Sequence, residues 1–286
     1  MNDPLVSTEW LAAHLTDADL RIFDSTIHLP TSPGERAASG RDDYARAHIP
    51  GAGFLDLLSE LSDSSSAFPF ARPTTDQLER ALSQAGIGNG NRVIAYSSSN
   101  VMWATRLWWL LRSAGHESVA VLDGGFAKWC SESRPTSAEP CSYPQTTFEA
   151  DMLESRWASK QEVQAAIGDG SICTINALPS ALHTGEAEMG YARPGHIEGS
   201  ENVPFHLLLH SETGQFKSAA ELREHFAQTG VFERERAINY CGGGIAATLN
   251  ALALTLAGHP NVAVYDGSLN EWSADPKLPM KTGRTR

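Results

Sequence analysis

The sequence predicts an α/β protein built from two copies of one domain, each with a mostly parallel sheet flanked by helices. In both halves of the chain, short apolar runs typical of buried strands alternate with segments whose apolar residues recur at helical spacing. Such alternation is typical of parallel strands connected by helices. The length of 286 residues suits two ordinary domains, and the hydrophobic share of 41% is enough for packed cores.

In the first half, helices and strands are predicted in turn. Residues 8–15 and 75–85 have helical spacing, and Thr75 is expected to cap the second of these helices. Short apolar runs predict the strands, which lie at 21–24, 93–96 and 119–122.

In the second half, a strand is predicted at 172–176, and the clearest helix shows four apolar residues on one face. These residues are spaced by four, three and four positions, and they are Ile245, Leu249, Leu252 and Leu256. Gly258 stands where this helix is expected to end.

The two halves repeat one another over a long distance. Tyr96 corresponds to Tyr240, 144 positions later, and Trp129 corresponds to Trp272, 143 positions later. Solenoid repeats are much shorter, so this self-similarity indicates duplicated domains. We expect Trp129 and Trp272 to fill the two cores.

The boundary between the copies is expected within 131–148, where prolines stand among Ser and Thr and apolar periodicity is weak. This pattern predicts a first domain over residues 1–135, an extended linker over 136–149 and a second domain over 150–286.

Composition excludes several classes of protein. The net charge of -12 argues against a broad basic surface for nucleic acid. Apolar runs are too short to cross a bilayer, and the N-terminus has no signal-peptide pattern, so we expect a cytoplasmic protein without a membrane partner. The four cysteines lack Cys-x-x-Cys spacing, and no motif indicates a disulfide framework, a metal or a cofactor.

The segment 238–247 predicts a reactive cysteine. An apolar run ends at Cys241, three glycines follow, and a helical pattern then begins. Glycines let several backbone N–H groups point inward, and the start of a helix adds partial positive charge. We therefore expect Cys241 to act as a thiolate nucleophile. The equivalent position in the first copy is Ser97.

Two other uses of this loop fit the sequence less well. A nucleotide-binding P-loop requires a Lys-Ser/Thr pair after the glycines, and none follows here. A cysteine phosphatase requires an arginine six positions after the cysteine to hold the phosphate, and that position is Ala247.

Taken together, the motifs resemble those of tandem-domain rhodaneses, which are sulfurtransferases acting on thiosulfate or 3-mercaptopyruvate. The resemblance covers nearly the whole chain. The shared motifs are Val6-Ser7-Thr8-Glu9-Trp10-Leu11, the His-Ile-x-Gly turns at 48–51 and 196–199, the Asp-Gly-(Gly/Ser)-x-x-x-Trp segments at 123–129 and 266–272, and the strand–Cys–loop–helix unit at 237–247. The resemblance implies a doubly wound rhodanese-like fold in each half, with an inactive first domain and a catalytic second domain.

In such enzymes the cysteine thiolate takes a sulfur from a small anionic donor, holds it as a persulfide and passes it to cyanide or a thiol. The resemblance assigns this role to Cys241. Backbone N–H groups after the cysteine are expected to stabilise the anion. These residues are Gly242, Gly243, Gly244, Ile245, Ala246 and Ala247. The alternative is a non-catalytic sulfur-relay or binding module, a role that Ser97 indicates for the first copy.

The anion-binding side chains common in this family are missing. Relatives often carry basic or hydroxyl residues directly after the cysteine, where this chain has Gly242 and Gly243, and arginines after the strand that is 172–176 here. His183 and Arg193 are candidates to replace them, and the alternative is that both are surface residues.

Residues of the first domain are also expected at the pocket. By alignment with the family, Ile27, His28, Met102 and Trp103 are predicted to line it opposite Cys241. The alternative for these four is ordinary core or interface packing.

The two histidines of the His-Ile-x-Gly turns, His48 and His196, occur in both copies, including the one without a cysteine. This favours a structural role, with ring nitrogens bound to backbone carbonyls. Cys173 lies in a strand-like run and is expected to be a buried, inert thiol.

Overall fold

The computed structural model describes residues 3–30 and 35–283. The chain divides into two compact units. The first comprises Met1–Met152 and Glu212–Gln215, and the second comprises Leu153–Ser211 and Phe216–Arg286. Each unit is centred on a five-stranded parallel sheet flanked by helices, which confirms the predicted fold class.

The first unit begins with a short edge strand and alternates strands and helices. Its described strands are β1 (Leu5–Val6), β2 (Leu20–Asp24), β3 (Ile27–His28), β4 (Ala38–Ser39), β5 (Gly53–Phe54), β6 (Arg92–Tyr96) and β7 (Val119–Leu122). Its described helices are α1 (Thr8–His14), α2 (Arg41–Arg46), α3 (Thr75–Gln84), α4 (Val101–Ser113) and α5 (Gly125–Ser131). The sheet has the order β1-β7-β6-β2-β5, and β3 pairs with β4 in a separate antiparallel ribbon.

The second unit repeats this plan. Its described strands are β8 (Trp157–Ala158), β9 (Ile172–Asn176), β10 (His196–Ile197), β11 (Glu201–Asn202), β12 (Arg236–Tyr240), β13 (Val262–Tyr265) and β14 (Met280–Lys281). Its described helices are α6 (Lys160–Ala165), α7 (Ser180–Thr184), α8 (Ala219–Ala227), α9 (Ala246–Leu256) and α10 (Ser268–Trp272). Short 3₁₀ turns lie at Glu154–Arg156, Phe205–Leu208 and Val231–Glu233. The sheet has the order β11-β9-β12-β13-β8, and β10 pairs antiparallel with β14.

The duplication holds at the level of strand register. Asp24 of β2 pairs with Tyr96 at the end of β6, and Asn176 of β9 pairs with Tyr240 at the end of β12. The loops after Tyr96 and Tyr240 therefore leave equivalent central strands at the carboxyl end of each sheet. Ligand sites of open α/β sheets lie at this end.

The two repeated tryptophans are core residues, as predicted. Trp129 and Trp272 are fully buried. The indole N–H of Trp129 donates to the Pro135 carbonyl at 2.8 Å, and that of Trp272 donates to the Pro279 carbonyl at 3.0 Å. These bonds satisfy the polar atom that burial would otherwise leave without a partner.

The predicted cap of α3 is wrong by one residue. The cap is Thr74, whose hydroxyl accepts a hydrogen bond from the Gln77 N–H at 3.2 Å, and Thr75 is the first helical residue. Thr74 has an extended backbone with ψ of 157°, the conformation that an N-cap requires.

The segment predicted as a linker, 136–149, is extended and lies on the first unit. The Tyr143 phenol donates to the Gly51 carbonyl at 2.6 Å and accepts from the Ile22 N–H at 2.9 Å. Phe148 is buried. The compact unit consequently reaches Met152, beyond the expected end at residue 135.

The His-Ile-x-Gly turns are tied down through their histidines, as predicted. Both His48 and His196 are buried. His48 Nδ1 lies 2.7 Å from the Tyr44 carbonyl, and His196 Nδ1 lies 2.7 Å from the His183 carbonyl. Each ring also stacks on the ring of that same neighbour, at 4.0 Å in the first unit and 3.8 Å in the second.

Candidate active site

Cys241 directly follows β12, which is the central strand of the second sheet. The residue is 2% exposed, and its thiol is free. The loop after it reaches Ala246, where α9 begins. The cysteine therefore lies between the carboxyl end of a buried parallel strand and the N-terminus of a helix, where helix partial charge favours an anion.

One side chain, that of Ser268, fixes this loop. Its hydroxyl accepts hydrogen bonds from the Cys241 N–H at 3.0 Å and the Gly244 N–H at 3.1 Å. The same hydroxyl donates to the Tyr265 carbonyl at 2.8 Å. Ser268 has φ of 49°, a left-handed backbone conformation that is unfavourable for residues other than glycine. This strained residue is the one whose hydroxyl binds both the first residue of the loop, Cys241, and Gly244.

The loop carbonyls are also held by α10. The carbonyls of Cys241 and Gly242 accept from the N–H groups of Leu269 and Asn270, at 3.1 and 2.9 Å. Two loop carbonyls are thus engaged by a helix, while most of the loop N–H groups have no acceptor. This arrangement resembles the backbone nests that bind anions.

Five of the six N–H groups in the predicted amide cradle have no acceptor among the described residues. These groups belong to Gly242, Gly243, Ile245, Ala246 and Ala247. The sixth member of the predicted set, Gly244, donates to Ser268 and therefore shapes the loop instead.

Two of the glycines are required for different reasons. Gly244 has φ of 75°, and a Cβ there would lie 2.7 Å from Asp266 Oδ1. Gly242 has no such backbone constraint, but a Cβ there would collide with the phenol oxygen of Tyr191 and lie 3.1 Å from its Cζ. Tyr191 thus covers the residue next to the cysteine.

Burial raises the pKa of the Tyr191 phenol well above its usual value, and the neighbouring Cys241 raises it further. The phenol is therefore a neutral O–H donor across the physiological range. Tyr191 also lines a cavity of about 230 Å³. Its other lining residues are Leu182, Ala187, Glu188, Met189, Gly190, Ala192, Pro194 and Gly195.

The structure does not place His183 on the surface, so that alternative is wrong. His183 is 2% exposed, and its ring stacks on His196. Burial, together with the neighbouring His196, lowers the pKa of His183 to about 3. The ring is neutral at physiological pH and does not supply the positive charge of a missing arginine.

Arg193 is bound to the protein by its whole guanidinium. Its nitrogens donate to four backbone carbonyls between 2.6 and 3.1 Å. The carbonyls are those of Trp272, Ser273, Asp275 and Leu278. These bonds attach the segment that carries Tyr191 to residues 272–278. Contact of Arg193 with a substrate stays a prediction.

The predicted pocket residues of the first domain have defined surroundings in their own unit. His28 is exposed, and its Nε2 lies 2.6 Å from Asp43 Oδ2. Trp103 is 1% exposed and packs on Phe70 with ring centroids 5.1 Å apart. Ile27 and Met102 are buried. Their proximity to the cysteine stays a prediction.

The equivalent loop of the first unit is held differently. The Thr26 hydroxyl lies 3.2 Å from Ser97 Oγ and accepts from the Ser98 N–H at 2.8 Å. Thr26 in turn donates to the buried Asp24 carboxyl. At the position of Ser268 the first unit has Gly125, with φ of 57°.

Sequence reasoning missed Ser268 and Tyr191. Ser268 could have been found, because the two Asp-Gly-(Gly/Ser) motifs differ at that position alone among their first three residues. Tyr191 could also have been found, because Tyr191-Ala192-Arg193 before His196 repeats Tyr44-Ala45-Arg46 before His48, although this repeat does not indicate the contact with Gly242.

Cys173, as expected, is buried, and burial raises its pKa to about 11. Among the described residues, no group of three or more His, Cys, Asp or Glu side chains is placed to hold a metal ion. None of the described helices is long and apolar enough to cross a membrane.

Comparison with known proteins agrees with this geometry. The family model for the Rhodanese-like domain matches twice, at residues 7–132 and 159–275. Thiosulfate sulfurtransferase from Cricetulus griseus is 33% identical, over 98% of this chain and 96% of that protein. The 3-mercaptopyruvate sulfurtransferase of Escherichia coli K12 is 32% identical, over 96% and 97%.

Solved structures with the same two-domain fold are also similar to this chain. The crystal structure of the 3-mercaptopyruvate sulfotransferase SseA from Escherichia coli superposes with a TM-score of 0.83 at 31% identity, covering 93% of this chain and 98% of that one. Tum1 from Saccharomyces cerevisiae shares the fold, with a TM-score of 0.86 at 22% identity and full coverage of both chains. The chain therefore belongs to the rhodanese family of sulfurtransferases, and carries two rhodanese domains in tandem.

Proposed function

We propose that the protein transfers sulfane sulfur from thiosulfate or 3-mercaptopyruvate to cyanide or a thiol through a persulfide on Cys241. The observation that carries this proposal is the buried thiol followed directly by a loop with five N–H groups that have no acceptor, at the start of α9. Such groups stabilise a terminal persulfide anion without a charged side chain. No basic residue lies in 241–247 to do so.

The chemistry proceeds in two displacements. With thiosulfate, the Cys241 thiolate attacks the outer sulfur, the donor S–S bond breaks, and sulfite leaves with the bonding electron pair. The enzyme keeps a Cys–S–S⁻ group. An acceptor nucleophile then attacks the terminal sulfur, and the thiolate of Cys241 leaves and is regenerated.

With 3-mercaptopyruvate, the bond that breaks joins carbon to sulfur. The departing enolate of pyruvate takes a proton, which the donor thiol can supply. Relatives named for the two donors are 33% and 32% identical to this chain, so identity does not favour either donor. A loop without side-chain charge is compatible with both.

Intact mass spectrometry tests the proposal. The wild-type protein is incubated with thiosulfate or 3-mercaptopyruvate, desalted and weighed. One added sulfur atom, about 32 Da, is expected on the wild type and absent from Cys241→Ser, because only a thiolate can form the persulfide. Cys130→Ser, which removes an exposed thiol, is the matched control and should gain the sulfur.

The competing function is a non-catalytic sulfur-relay or binding module, which takes no sulfur from a small-molecule donor. It predicts no mass gain with either donor, and that result would refute the proposal. If the sulfur is gained, adding cyanide or a thiol should remove it and yield thiocyanate or a persulfidated acceptor. A cytoplasmic location stays a prediction, which fractionation of cells that express the protein would check.

A further inference from the structure

Tyr191 occupies the space beside the proposed nucleophile. Its phenol oxygen lies so close over Gly242 that any side chain at that position would displace it. Gly242 is the residue directly after Cys241, and its N–H is one of the unengaged groups. The phenol and the amide cradle therefore border the same space.

The tyrosine is held in place by its neighbours in sequence. The Ala192 N–H donates to the Ser273 hydroxyl at 3.2 Å, and the Arg193 guanidinium grips four backbone carbonyls of the segment 272–278. Two consecutive residues after Tyr191 are thus fixed. A hydroxyl on such a support is pre-organised for a ligand.

The phenol hydroxyl has little to bind within the protein. In the described part of the chain its one hydrogen-bond contact is the Met189 sulfur at 3.6 Å, and a thioether is a weak acceptor. Met189 is itself 60% exposed. An O–H group that is half enclosed and so weakly engaged can donate to a ligand.

We propose that Tyr191 is a substrate-binding residue whose O–H donates a hydrogen bond to the oxyanion group of the sulfur donor, a sulfonate or a carboxylate. The inference rests on the proposed function. The sulfur to be transferred must face Cys241, so the oxyanion end of the donor extends past it, over Gly242. The tyrosine there supplies a neutral donor where the loop has no cation.

Steady-state kinetics of Tyr191→Phe test this inference. We expect the donor KM to rise about tenfold or more, because a hydrogen bond to a charged group is lost, while kcat changes less. Sulfur loading at saturating donor, weighed on the intact protein, should be preserved. Tyr143→Phe removes a phenol from the first unit and is the matched control, with wild-type KM expected.

A second variant tests the geometry. In Gly242→Ala the added Cβ must displace the phenol, so its donor KM should rise about as much as that of Tyr191→Phe. The double variant should then show no more than about a twofold further rise, since both changes remove one interaction.

The outcomes separate the two proposals. If the wild type gains no sulfur, both fall. If it gains sulfur but Tyr191→Phe keeps the wild-type KM for both donors, or if the effects of the two substitutions multiply in full, the role of Tyr191 is refuted and the persulfide mechanism stands.

Discussion

Replacing Ser268 tests how the loop around Cys241 is held. Its hydroxyl makes three hydrogen bonds, two accepted from loop N–H groups and one donated to a carbonyl. Ser268→Ala removes all three but keeps a side chain at φ of 49°. Ser268→Gly removes the same bonds and also relieves the left-handed strain.

The magnitudes follow from these contacts. Three buried hydrogen bonds at about 1 kcal/mol each give about 3 kcal/mol for Ser268→Ala. The left-handed conformation costs a residue other than glycine about 1 kcal/mol or more, so Ser268→Gly should lose about 2 kcal/mol or less. Glycine should therefore be the milder substitution, although α10 begins at this residue and glycine normally weakens a helix.

Urea unfolding measures the free energies, and sulfur loading of Cys241 measures the consequence for the site. Loading should slow about tenfold or more in both variants, because the cradle is no longer pre-organised. In the first unit, Gly125→Ala should also destabilise, because it introduces a side chain at φ of 57° and places its Cβ 2.8 Å from the Ser97 carbonyl oxygen. Wild-type stability of Ser268→Ala, or lower stability of Ser268→Gly, would refute the reasoning.

Three further substitutions have expected outcomes. Burial raises the pKa of Asp24 to about 6 from its ordinary 3.8, so its contribution to stability is present below about pH 4 and is lost as pH rises through about 6. Asp24→Asn should remove this loss, about 3 kcal/mol, as urea unfolding at pH 4 and pH 7 would reveal. For His183, whose pKa is lowered to about 3, stability is present above about pH 6.5 and is lost as pH falls toward 3. His183→Phe keeps the ring stack on His196 and should weaken this acid sensitivity, and an unchanged acid unfolding midpoint would contradict it. Arg193→Lys cannot hold four carbonyls with one ammonium, so its thermal midpoint should fall and its donor KM should rise, whereas wild-type kinetics would show that Tyr191 is fixed without it.

Much of the architecture follows from local sequence. Buried parallel strands are short apolar runs, so β6, β7 and β9 were predicted to within a residue of their observed ends. Because the two halves repeat, the elements of one unit predict those of the other, and the repeated Trp129 and Trp272 are both buried. The cap of α3 was missed by one residue because Thr74 and Thr75 have equal capping chemistry, and only the backbone conformation distinguishes them.

The surroundings of the cysteine were less predictable, because they come from segments distant in sequence. The sequence makes Arg193 a candidate to bind the anionic donor, but in the folded chain its guanidinium donates hydrogen bonds to four backbone carbonyls. His183 was considered as a possible replacement for an arginine, but burial keeps its ring neutral. Tyr191 reaches Gly242 across about fifty positions of chain, a contact that no periodicity encodes.

The equivalent loops of the two copies are held by different hydroxyl groups. In the first unit, Thr26 follows β2, and its hydroxyl lies against the Ser97 side chain and accepts a hydrogen bond from the Ser98 N–H. In the second unit, the hydroxyl that holds the loop belongs to Ser268, where the first unit has Gly125. The second loop is thus fixed through the backbone N–H groups of Cys241 and Gly244 and not through a hydroxyl placed against the side chain of the central residue. We therefore expect that Ser97→Cys alone would not make the first unit take up sulfur, because the Thr26 hydroxyl would still lie against the side chain at position 97; sulfur gain on Ser97→Cys combined with Cys241→Ser, weighed on the intact protein, would contradict this.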